Sequence, residues 1–122
     1  MILSIHQPEH MPWLGFFHKL SLTEKFVILD DVQFRKNYFQ NRNKIVGDSG
    51  DPFWISVPVS KGPYEDKIKD KTISTGSKLY PQKYINLISN TYSRTKFFDS
   101  YSNELFDLLN SDHERLSDLN LS

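Results

Sequence analysis

The chain has 122 residues, of which 38% are hydrophobic and 25% charged, with 15 Lys and Arg balanced by 15 Asp and Glu. That size and balance suit one α/β domain over residues 1–122, with no net field to steer it toward nucleic acid. No apolar run approaches the roughly 18 residues of a membrane span, no basic apolar leader opens the sequence, and the lack of cysteine excludes disulfides and thiolate metal sites; a cytoplasmic location is expected.

Residues 2–6, ILSIH, have the branched apolar character of a strand, and Pro8 and Pro12, which lack amide donors, stop it soon after His6. Beyond Pro12, the residues Trp13, Leu14, Phe16, Phe17 and Leu20 fall at spacings that line one side of a short helix. KFVILDDV, residues 25–32, reads as a strand buried on both faces that delivers Asp30 and Asp31 at its C-terminal end. Two strands joined through a helix make a βαβ unit, and open parallel sheets bind ligands beyond the carboxyl ends of their strands, so His6 and Asp30 are expected together.

QFRKNYFQNRNKI, residues 33–45, is polar and aromatic without a clear period, and GDSGDP, residues 47–52, concentrates turn formers. FWISVPV, residues 53–59, reads as an edge strand limited by Pro58; KGPYEDK, residues 61–67, as a loop; and KDKTIS, residues 69–74, as one more short strand. From Pro81 onward Tyr84, Leu87, Ile88 and Tyr92, then Leu105, Leu108, Leu109, Leu116 and Leu119, recur at helical spacing. The expected architecture is a small, mostly parallel sheet of three to five short strands with helices, followed by a mostly helical C-terminal half.

His6, at a strand-to-loop exit, is a general acid or base, or else a histidine that fixes the loop through a backbone hydrogen bond. Gln7 beside it suits a ligand amide or hydroxyl. His10 reaches the same region, whereas His18 reads as surface; the two are eight apart, neither has the i, i+4 partner that would place two imidazoles on one helical face for zinc, and they assign no metal. Trp13, Phe16 and Phe17 suit stacking on a base or sugar, although rings at these spacings more often build core.

Asp30 and Gln33 are favoured for the pocket, with Asp31 close behind, because adjacent strand residues point to opposite faces; capping of the following turn is the competing role for the acids. Arg42 between Asn41 and Asn43 suits a phosphate or carboxylate, the guanidinium gripping the anion and the amides fixing hydroxyls.

HQPEHMPWLGFFHK, FVILDDVQFRKNYFQNRNKI, WISVPV and LSDLN, in that order across nearly the whole chain, resemble the WbqC-like proteins of bacteria. The resemblance implies a role in surface-polysaccharide (O-antigen) biosynthesis, in transferring an aminoacyl group such as glycine to an amino sugar carried on a nucleotide or a lipid. It points to His6 and Asp30 as catalytic and to Gln7, His10, Trp13, Asp31, Gln33, Asn41, Arg42 and Asn43 as substrate-binding. His10 stands where the family often has tyrosine. Members are usually longer, so this chain is expected to be an N-terminal portion. No cofactor is implied, and a homo-oligomer is compatible with it. A nucleotidyl-transferring or nucleotide-binding α/β protein and a non-catalytic binding module are the alternatives.

Overall fold

A computed structural model describes residues 1–63, 65–74 and 79–122. The first strand, β1 (Leu3–His6), leads through a proline-bearing loop to helix α1 (Leu14–Ser21) and then to β2 (Lys25–Ile28), which lies parallel to β1 with His6 opposite Ile28. This is the βαβ unit expected from the sequence. Its last rung is the Leu29 N–H donating to the His6 carbonyl at 2.8 Å.

The unit is covered on one side only. Ser4, His6, Phe26 and Ile28 are half-buried, while Leu3, Ile5, Lys25 and Val27 are exposed. Phe16 of α1 fills the covered side, with its ring edge-on to His6 at 5.0 Å and to Phe26 at 5.3 Å. The strand expected over 25–32 with both faces buried therefore stops at Ile28 and alternates. Beyond it, residues 30–34 run beside 66–69 instead, with N–H donors of Ile68, Lys69 and Phe34 bonded to the carbonyls of Val32, Asp30 and Asp66.

Gly15 opens α1 for a local reason. A Cβ there would sit 2.1 Å from the Trp13 ring, so the glycine makes room for an indole folded back over the first helical turn rather than for a neighbouring element.

The chain then forms a separate antiparallel hairpin of β3 (Arg42–Val46) and β4 (Pro52–Ser56), reversed through the turn formers at 47–51. Among the described residues the expected single, mostly parallel sheet is thus replaced by two two-stranded sheets, one parallel and one antiparallel. The physical reason lies in Gly47, Asp48, Ser49 and Gly50, which close a short reversal; a parallel pairing would have required a crossover of a dozen or more residues. Ile45 and Ile55 supply the buried face of this hairpin.

The segment expected as a strand at 69–74 is instead a 3-10 turn at Ile68–Asp70 followed by single bridges, Thr72 to Arg115 and Ile73 to Val59. The predicted loop at 61–67 includes residue 64, which lies outside the described residues.

Helices α2 (Gln82–Tyr92), α3 (Phe98–Asn110) and α4 (Leu116–Asn120) follow, so helix dominates from residue 82 onward. Tyr84, Ile85 and Ile88 of α2, Leu109 of α3 and Leu116 and Leu119 of α4 pack with Ile45, Ile55, Val57 and Ile73 into the principal core. Phe16 is buried apart from that cluster. The molecule has one main apolar centre under the hairpin and a smaller one under the βαβ unit.

Candidate functional site

A cavity of about 400 Å3 opens at the carboxyl ends of β1 and β2, lined by Ile5, His6, Gln7, Glu9, Leu29, Gln33, Arg35 and Tyr38. Its position follows from strand polarity: the two parallel strands end side by side, and the chain leaves each in a loop that carries polar side chains. The run of 30–34 beside 66–69 brings Gln33, bridged to Lys67, and then Arg35 to the rim.

His6 is half-buried against Phe16, with its Nε2 3.5 Å from Glu9 Oε1, at the outer limit of a hydrogen bond. Burial, reinforced by the Lys19 charge, pushes the imidazole pKa below its ordinary value. Lys19 is itself anchored, donating from Nζ to the Ile5 carbonyl at 2.7 Å. Burial raises the Glu9 carboxyl. The lowered imidazole pKa leaves His6 a free base near neutrality, able to accept a proton. Arg35 supplies the wall's guanidinium, stacked 4.6 Å over the Tyr38 ring.

Of the residues singled out in the sequence, His6, Gln7 and Gln33 meet in this cavity. Asp30 makes no side-chain hydrogen bond to His6 among the described residues; its carbonyl accepts from the Lys69 N–H. Asp31 faces outward between two cations, with Lys67 Nζ at 2.6 Å and Lys69 Nζ at 3.0 Å, which pull its carboxyl down to about 2. Trp13 is 65% exposed at the head of α1, away from the lining.

Asn41, Arg42 and Asn43 serve the hairpin and its neighbours. Asn41 Nδ2 donates to the Val57 carbonyl at 2.9 Å and Asn43 Nδ2 to the Met11 carbonyl at 2.7 Å. That second bond holds Met11 in the left-handed region at φ 46°. The Arg42 guanidinium lies 3.8 Å over the Trp54 ring and donates to the Asn37 carbonyl. Rings of Tyr38, Phe39 and Trp54 follow one another at 5.4 and 5.7 Å, so a half-exposed aromatic ladder runs from Arg35 at the cavity to Arg42 and Lys44 on the hairpin.

His10 is 4% exposed and fully engaged: Nδ1 lies 2.8 Å from Asn120 Oδ1 and Nε2 2.6 Å from the Tyr84 hydroxyl. Asn120 Nδ2 donates to the Gln40 carbonyl at 2.7 Å, so Asn120 Oδ1 is the acceptor for His10. The imidazole therefore carries its proton on Nδ1, and Nε2 accepts from Tyr84. Burial lowers the His10 pKa, and burial, with the neighbouring Tyr80, raises that of Tyr84. His10 is a neutral tie between the N-terminal loop, α2 and α4, at a position where the sequence offered a ligand contact.

Glu9, Arg35 and Tyr38 were not among the sequence candidates, nor was Gln40, which is 1% exposed. Glu9 lies inside the same HQPEH stretch as His6, three residues on, a spacing that could have marked it. Among the described residues no group of three or more His, Asp or Glu is placed to hold a metal ion, and no helix is long and apolar enough to cross a membrane.

The sequence profile of the WbqC-like protein family matches residues 7–122, nearly the whole chain. The chain belongs to the WbqC-like protein family. It is also 32% identical over 120 residues to the uncharacterized protein Rv1507c of Mycobacterium tuberculosis (strain ATCC 25618 / H37Rv), an alignment that takes in 97% of this chain and 51% of the relative. This WbqC-like chain thus spans about half the length of the curated relative it matches. No solved structure matches it.

Proposed function

We propose that this WbqC-like chain contributes the ligand cavity and proton acceptor of a transferase that moves an acyl or aminoacyl group onto an amino sugar carried by a nucleotide or lipid phosphate. The observation that carries the reading is that His6 and Arg35 line one cavity at the carboxyl ends of parallel strands, where burial pushes the imidazole pKa down. An amine attacks only when neutral. As its nitrogen bonds to the carbonyl carbon of an activated ester or thioester donor, that carbon releases its leaving group and the surplus nitrogen proton passes to His6. Arg35 holds the phosphate of the carrier. Glu9, near Nε2, steadies the imidazolium that forms.

His6→Ala and Arg35→Ala, assayed separately with an aminoacyl donor and an amino-sugar nucleotide, test the assignment. Removing the base is expected to lower kcat by about 10²-fold or more, and removing the guanidinium to raise KM with a smaller effect on kcat. Wild-type rates in both variants would reject it.

The aromatic ladder between Arg35 and Arg42 favours a second reading, a nucleotide-binding or nucleotidyl-transferring protein, because rings and guanidinium planes stack on bases. Release of pyrophosphate from a nucleoside triphosphate, without acyl transfer, would select it. The third, a non-catalytic binding module, draws on the half-length match and would be selected by turnover in the longer relative alone.

A further inference from the structure

Gln40, 1% exposed, has both ends of its side-chain amide bonded beside the cavity. Its Oε1 accepts from the Arg35 backbone N–H at 2.7 Å, and its Nε2 donates to Gln7 Oε1 at 2.9 Å. The orientation is compelled: a backbone N–H can only donate, so the Gln40 oxygen must face Arg35, which turns the Gln40 N–H groups toward Gln7. Gln7 must then answer with its oxygen. The Nε2 hydrogens are what its amide has left for the cavity that it lines.

From this relay we infer that Gln40 is a positioning residue that fixes Gln7 as a hydrogen-bond donor, so that Gln7 and the Arg35 guanidinium form a wall selective for anionic oxygens, those of a phosphate or a carboxylate. The wall excludes a ligand edge that carries only N–H donors at that point, because donor would meet donor, whereas a hydroxyl there would have to accept. Glu9 is the one carboxylate among the described lining residues, and it is the group beside His6 Nε2. Gln40 is in turn held from behind, its carbonyl accepting from Asn120 Nδ2. The inference deepens the transferase proposal and rests on its reading of this cavity as the ligand site.

The test is a titration of the 15N-labelled chain with inorganic pyrophosphate and, separately, acetate, following the side-chain signals of Gln7, Gln40 and Arg35. Pyrophosphate is expected to move the Gln7 amide and Arg35 Nε signals while the Gln40 amide, already bonded, moves least; acetate acting alone would assign the wall to a carboxylate rather than a phosphate. Movement at Arg35 without movement at Gln7 overturns the donor wall and leaves the cavity as the ligand site. Movement at neither, with either anion, overturns both.

Gln40→Glu supplies the independent check. Its carboxylate still accepts from Arg35 but no longer donates, so Gln7 reverses and presents oxygen; the affinity for the bound anion is expected to fall at least about tenfold. Acidification restores it, because a protonated Glu at position 40 donates to Gln7 once more. Undiminished affinity at every pH in a folded Gln40→Glu protein overturns the relay.

Discussion

Two histidines four residues apart divide the labour of the N-terminal loop, and what separates them is partnership. His10 has both ring nitrogens bonded, whereas His6 has one distant carboxylate and an aromatic edge. Both have pKa values below the unfolded value of about 6.5, so the unfolded chain binds more protons just below that point. Stability is therefore full above pH ~6.5 and falls as pH drops from there toward the folded pKa values. Thermal melts across pH 7 to 5 are expected to show that loss, and His10→Asn, which keeps a donor for Asn120 but does not titrate, to have a shallower acid slope. The same variant forfeits the Tyr84 bond, at a cost of about 0.5–1.5 kcal/mol at neutral pH, because the Tyr84 hydroxyl keeps Met11 Sδ as an acceptor at 3.3 Å. In the proposed transfer the proton acceptor is His6 instead, so the activity assayed there is expected to decline as pH falls through a His6 pKa lower than 6.5, and His10→Asn to leave that limb in place.

At the scale of elements, legibility tracked locality. The βαβ unit was readable because apolar runs, two prolines and helical spacing all lie within thirty residues. The pairing of 30–34 with 66–69 joins segments far apart in sequence, and nothing in either announces the other; Asp31 consequently looked like a pocket residue although Lys67 and Lys69 hold it outside. The surroundings of Arg42 are non-local in the same way. Its guanidinium lies on Trp54 only because the hairpin register sets Arg42 opposite Ser56 and Lys44 opposite Trp54, a register fixed by the turn and invisible in the motif. That His6, Gln7 and Gln33 line one cavity is legible because a strand end and its exit loop can be seen directly in the sequence. Helix α4, at five residues, is too short to persist by itself and depends on Leu116 and Leu119 in the core and Asn120 in the polar ties. Leu116→Ala is expected to cost about 2–5 kcal/mol in denaturant melts. Asn120→Ala is expected to cost about 1–3 kcal/mol for each buried group it leaves unpaired, and to broaden the Gln40 side-chain signals as well.

Over the whole molecule, the principal core draws on the hairpin, the segment around Ile73 and α2 to α4, while among the described residues the βαβ unit that carries His6 packs around Phe16, apart from that core. Opening free energies follow buried apolar contact, so amide exchange is expected to be slower at Ile45, Ile55 and Ile88 than at Ile5 and Val27. Uniform protection across both units would contradict this division. The ties between the units include the apolar contact of Met11 with the principal core and polar bonds such as that from His10 to Asn120, 110 residues away. That span governs the order of assembly during synthesis. The ribosome must deliver residue 120 beyond its exit tunnel before the imidazole near the start of the chain finds its amide, so the polar spine behind the cavity closes only after translation has passed α4.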